Sequence, residues 1–171
     1  MGAIQPEQAT VYITAQAVSP SAIASSDSYT GYITNFSESG GEEDVESNPV
    51  FGGGNIDKIK PRSQIEVSFD VIFQYGTNAS DFDAMKWGST LLSDGDSPAK
   101  RVYIEFSDGT NYYTRGYDNC KAVSFEPESS ADDFLKGTIT FKLSPTQSDG
   151  TPNLQILSGT SNSSATDITW S

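Results

Sequence analysis

An antiparallel all-β domain, built as a sandwich or barrel, is the fold class this sequence predicts, and three observations point to it. The stretch Ser63–Tyr75 places Ile65, Val67, Phe69, Val71 and Phe73 on one face and Gln64, Glu66, Ser68, Asp70 and Gln74 on the other, with Ile72 out of step. A period of two held over that length means that one face packs on a core and the other meets water. The chain is only 35% hydrophobic, yet nine Phe, eight Tyr and two Trp supply enough bulk for a thin two-layer core. Fifteen Gly, with many Ser, Thr, Asn and Asp, imply frequent turns and short strands. At 171 residues one domain is expected.

The other elements follow in order. Thr10–Ala17 alternates Val11, Ile13 and Ala15 with Tyr12, Thr14 and Gln16, a half-buried strand. Tyr29–Phe36 is a second strand, rich in aromatic and β-branched residues. Ser37–Asp57 then interrupts the sheet with a 21-residue acidic, glycine-bearing loop. Connections of that length are usually functional or disordered. Val45, Val50, Phe51 and Ile56 give this one apolar anchors that a linker would lack. An arm docking on a neighbouring subunit and a self-packed surface loop both fit these residues.

Ser80–Trp87 predicts one short helix, about 80–88, capped by Ser80, with Asp81 and Asp83 in its first turn and Gly88 as its stop. Asp108-Gly109 predicts a hairpin between Lys100–Phe106 and Asn111–Tyr117. Lys121–Glu126 and Gly137–Leu143 predict a further antiparallel pair. The first 143 residues are read as the β domain; residues 144–171 are Ser/Thr-rich with weak anchors at Leu154, Ile156, Ile168 and Trp170, and read as a mobile end or one ordered by a neighbour.

Composition excludes much chemistry. Without histidine there is no Ser-His-Asp or Cys-His nucleophile. The single Cys120 lies in a strand-like run and reads as a small buried filler. Gly52-Gly53-Gly54 leads into Asn-Ile-Asp, not into a helix with a lysine, so it is a turn rather than a phosphate cradle. Ser93–Ser97 resembles a fragment of a calcium loop but lacks the closing Glu. No cofactor, no metal and no enzymatic activity are expected. Neither a signal peptide nor a membrane span is visible, so the chain is expected to be made in a cytoplasm.

Net charge is −13, which argues against gripping nucleic acid. Its distribution is uneven: residues 1–57 hold eight acids and no Lys or Arg, while all ten basic residues fall between Lys58 and Lys142. Such asymmetry suits head-to-tail contact between copies, and it equally suits a well-solvated acidic surface.

The layout of strand Tyr29–Phe36, acidic Gly-bearing loop, Lys58-Ile-Lys-Pro-Arg62 and the amphipathic strand Gln64–Phe73 resembles that of the major tail tube protein of long-tailed, siphovirus-type bacteriophages, over roughly residues 29–143. The resemblance implies hexameric rings stacked into a hollow tube, lined by a continuous β-barrel through which the genome passes. It also implies a place in the virion tail after assembly in the host cytoplasm. The implied partners are further copies and other tail proteins such as tape measure, terminator and baseplate proteins, with DNA only in transit and no membrane. A carboxylate-bearing wall would repel phosphates, so the candidate lumen residues are Glu66, Ser68, Asp70, Ser124, Glu126, Thr138, Thr140 and Lys142. Lys142, the lone cation, should be offset by Glu126 or Glu66. The same residues would also suit the ordinary outer face of a sandwich.

Between subunits, Glu42, Glu43, Asp44 and Glu46 would meet basic residues such as Lys58, Lys60, Arg62, Lys100 or Arg101 of an adjacent copy, with Val50, Phe51 and Ile56 supplying apolar contact. The rival reading is a β-sandwich virion decoration or carbohydrate-binding (adhesion) module, with Tyr103, Tyr112, Tyr113 and Tyr117 as its aromatic platform.

Overall fold

The computed structural model of the chain describes residues 9–25, 28, 33–51, 53–59, 62–72, 99–128 and 136–170. The predicted helix 80–88, the fragment Ser93–Ser97, Phe73 and Lys60 lie outside them. The strands are β1 (Ala9–Ala15), β2 (Ile33–Gly40), β3 (Val45–Val50), β4 (Gly54–Ile59), β5 (Ile65–Ile72), β6 (Lys100–Ser107), β7 (Tyr112–Glu128), β8 (Lys136–Leu143) and β9 (Leu154–Gly159). All of their pairings are antiparallel, and the fold is all-β.

The strand order is β1-β6-β7-β8-β5-β2, with β9 added to β7 and β3-β4 forming a ribbon of their own. The 17-residue β7 joins the two layers. Its first half pairs with β6 and β9, and its second half with β8. The sequence predicts two strands here; they are one, bent at Asn119, which adopts φ 54°. Asparagine tolerates this left-handed conformation because its short polar side chain bonds locally. The bend is held by Asp118, 2% exposed, whose carboxylate accepts from Gln16 (2.6 Å), Arg101 (2.9 Å) and the Asn119 amide (3.0 Å).

Between the layers lie Ile65, Val67, Phe69 and Val71 of β5, Val102 and Ile104 of β6, and Ile139, Phe141 and Leu143 of β8, all buried. The Phe69 and Phe141 rings meet edge to face at 6.1 Å, and Phe36 of β2 packs on Phe69 at 5.7 Å. Cys120 is fully buried, as a core filler. Burial, and next the Asp118 charge, push its thiol well above the usual range. In β1 the alternation breaks at its end: Ala15 is exposed and Thr14 buried.

The C-terminal segment corrects the sequence reading. It is neither loose nor dependent on a neighbour, because β9 joins β7 and residues 163–170 cover the far face of the β1-β6-β7-β9 layer. Ala165 and Ile168 are buried there against Tyr103. The Trp170 indole donates to the Tyr103 hydroxyl at 3.0 Å, and the Thr114 hydroxyl to the Ser163 carbonyl at 2.5 Å. Gly116 permits this close approach, since a Cβ at that position would collide with Ile168. The signal is weak in sequence because Ile168 and Trp170 stand among polar residues without a period.

Candidate functional site

All eight candidate wall residues fall on one face of the layer β2-β5-β8-β7. Register sets Glu66, Ser68 and Asp70 of β5 opposite Lys142, Thr140 and Thr138 of β8. On the far side of β8, Thr140 faces Ser124 and Thr138 faces Glu126 of β7. On the near side of β5, β2 continues the face with Asn35, Ser37 and Ser39. These three, and Lys121 opposite Lys142, were missed by the sequence reading. Alternation around Phe36 carried the signal, but Ser37 and Ser39 were read as the start of the loop.

The side chains of this face bond to one another across the strands. Asp70 accepts from Thr138 at 2.8 Å and from Asn35 at 3.1 Å. The Ser68 and Thr140 hydroxyls lie 3.1 Å apart. Lys142 reaches Glu66 at 3.0 Å, the offset expected of it. The result is hydrophilic but largely self-satisfied, with Ile72, opposite Lys136, as the apolar member at the end of its β5 row. Among the described residues no group of three or more His, Cys, Asp or Glu could hold a metal ion.

The stretch Ser37–Asp57, read as a loop, is mostly strand. Ser37–Gly40 completes β2, and β3 and β4 make a hairpin arm. Gly40 and Gly41, at φ 84° and 75°, turn the chain into it. A side chain at Gly40 would strike the Gln64 carbonyl, so the turn requires glycine. The Ser63 amide donates to the Glu42 carbonyl at 3.2 Å and closes the base. At the tip, Gly53 takes φ 83° and its amide bonds the Val50 carbonyl. Two expected charge partners are within one chain: Arg62 meets its own Glu43 at 2.9 Å, and Glu46 stands opposite Lys58. The exposed Arg62–Glu43 pair is worth ~0–1 kcal/mol. Val45 is 54% exposed, Val50 40%, and Phe51 fully so.

The aromatic platform does not form. Tyr103 and Tyr117 are fully buried, on opposite faces of their layer. Tyr117 and Tyr113 instead surround Arg115, whose guanidinium donates to the Tyr113 hydroxyl (2.7 Å), the Tyr117 hydroxyl (3.0 Å) and Glu38 (2.6 Å). The Tyr117 hydroxyl also donates to Glu38. Burial, and next the Glu38 hydrogen bond, push its phenol far above the usual range. This cluster ties β2 to β7 across the layers and is structural.

No family model and no curated protein matches the chain. Among solved structures, it superposes on a chain of the anti-feeding prophage tube terminating cap with a TM-score of 0.59, at 13% identity over 93% of each chain. A chain of the PVC extracellular contractile injection system in its extended sheath–tube complex gives 0.57, at 12% identity over 92% of each. One from that system's sheath/tube terminator gives 0.59, at 12% identity over 93% of this chain and 98% of the other. The fold is theirs. The likeness is one of fold, to chains of an anti-feeding prophage and of a contractile injection system, and not to the long-tailed phages in particular.

Proposed function

We propose that this chain is a structural, non-enzymatic subunit of a phage-like tail tube. Copies assemble into hexameric rings that stack around a hole lined by the β2-β5-β8-β7 face, through which the genome passes. The observation that carries this reading is the polar face: hydroxyls, three carboxylates and the lysines Lys121 and Lys142 on a continuous sheet, largely bonded among themselves, with its other side buried in the core. Such a wall is hydrophilic, offers a passing polymer few free partners, and sets Asp70 and Glu126 against phosphates, with Glu66 offsetting Lys142.

Edge geometry supports ring closure. Among the described residues, neither the outer edge of β2 nor that of residues 121–128 of β7 has a strand partner. Strand directions alternate across the layer, so β2 and β7 run oppositely. Copies placed side by side in one orientation therefore bring β7 against the next β2 in antiparallel sense, and a closed ring leaves no open edge. The β3–β4 arm supplies the inter-subunit contact, with Val50 and Phe51 contributing up to ~1.5–3 kcal/mol each when fully buried.

Tail position in the virion, and further contacts with terminator, baseplate or tape measure proteins, belong to this same reading. Electron microscopy with light scattering of the purified protein tests it: hollow tubes or rings are expected, and a monodisperse monomer at all concentrations would overturn it. Deletion of residues 42–54 should leave a folded chain that no longer polymerises.

A further inference from the structure

The β3–β4 arm is fastened at its base. Among the described residues its two strands pair only with each other, and Val45, Val50 and Phe51 along it are exposed. A lone two-stranded ribbon has little packing of its own, so its direction is set where it joins the domain. On the side leading into β5, the Ser63 amide bonds the Glu42 carbonyl, and Arg62 meets Glu43 in an exposed pair that holds weakly. On the other side the chain arrives from β2, the edge strand of its layer, which pairs with β5 alone.

Just before the Gly40-Gly41 turn stands Glu38, at a position where alternation calls for an apolar side chain. Register sets it opposite the buried Val67, on the same side of β2 as Phe36, which faces Phe69. It is instead a carboxylate, with its side chain 22% exposed, and both of its oxygens reach the other layer. Arg115 donates to one at 2.6 Å, and the Tyr117 hydroxyl donates to the other. A half-buried ion pair adds little stability that apolar residues of the same volume would not supply. What it adds is direction: a guanidinium and a phenol on the two oxygens of one carboxylate restrict where that carboxylate, and the strand carrying it, can sit.

We infer that Glu38 is a positioning residue for assembly: held by Arg115 and Tyr117, it pins the end of β2 to the β1-β6-β7-β9 layer and so sets the direction in which the arm leaves the domain. This role rests on the assembly reading above and concerns how the arm is aimed before a second copy is met. An arm already pointing along its docked direction loses less conformational freedom on docking, and association is stronger by that amount.

Direction and stability are separable by experiment. In the triple variant Glu38→Met, Arg115→Met, Tyr117→Phe the cluster becomes apolar at similar volume, and no charge or buried hydroxyl is left orphaned. Its denaturant midpoint should stay close to that of the unmodified protein, while the critical concentration for assembly, read by light scattering, rises about tenfold. Arm direction is read separately, on full-length protein too dilute to assemble, from the distance between spin labels at Phe51→Cys and Thr110→Cys; Cys120 is fully buried and escapes labelling. A narrow distance distribution is expected with the cluster intact and a broader one in the triple variant. An unchanged width, or an unchanged critical concentration, would overturn the assignment. Should the triple variant not fold, Tyr117→Phe alone decides: a broader distribution than with the intact cluster supports the role, and an unchanged one ends it. If the unmodified protein forms neither rings nor tubes, the assembly reading fails as a separate result, and the label distances still decide whether Glu38 aims the arm.

Discussion

The two layers of this molecule treat their outer faces oppositely. The β1-β6-β7-β9 layer is buried on both sides: the core lies beneath it, and residues 163–170 lie above it with Ile168 and Trp170 packed on Tyr103 and Gly116. The β2-β5-β8-β7 layer is buried on one side only and keeps a hydrophilic outer face. The chain thus has material to cover a sheet and spends it on one layer. Covering a face requires apolar side chains pointing outward, as Tyr103 does; a face made mostly of Ser, Thr, Asp, Glu and Lys gains little from cover.

This contrast can be broken by truncating side chains on each face. Ile168→Ala should cost about 3 kcal/mol, because it opens a cavity between the C-terminal segment and its sheet. Ser68→Ala should cost less than about 1 kcal/mol, since it removes one exposed-side hydroxyl contact. Thermal and denaturant unfolding measure both, and equal losses would mean that the polar face is packed as tightly as the covered one. Glu38→Gln comes next. It removes the charge facing Arg115 at the boundary between the layers and should cost about 2 kcal/mol, read as a lowered denaturant midpoint.

Replacing Glu66 and Asp70 with Lys sharpens the contrast at the functional level. Lys at 66 would stand opposite Lys142, and the loss of the Asp70 acceptor frees Thr138 and Asn35, together about 1 kcal/mol. The chain should still fold, while genome delivery by particles built from it slows. Unchanged delivery would remove these residues from the wall. The smallest effect lies in the β6–β7 turn. The Asn111 amide first, then the Asn111 side chain and the Thr110 amide, hold the Asp108 carboxylate down to about 2. A depressed folded-state value means stability that is present above the ordinary 3.8 and lost as pH falls towards 2. An NMR titration of Asp108 with a midpoint near 3.8 would contradict it.

Much of this was legible in the sequence, for reasons that differ by region. The polar face was readable because Ser63–Ile72 and Gly137–Leu143 alternate, and a period of two assigns every side chain to a face once a strand is recognised. The Lys100–Phe106 hairpin was readable from Asp108-Gly109. The arm was placed but its form was not, since Pro49 and three successive glycines mask the pairing of β3 with β4, an edge ribbon in which both are tolerated. The bend at Asn119 and the covering C-terminal segment were hidden because they depend on contacts distant in sequence: Asp118 with Gln16 and Arg101, and Gly116 with Ile168.

The most direct test of the central claim is an electron cryo-microscopy reconstruction of the assembled full-length protein. The account predicts a hollow tube of stacked hexameric rings, its inner wall formed by β2, β5, β8 and the second half of β7, with Glu66, Asp70 and Glu126 facing the hole. A tube with that face turned outward, or a protein that stays monomeric with those carboxylates in bulk solvent, would contradict it.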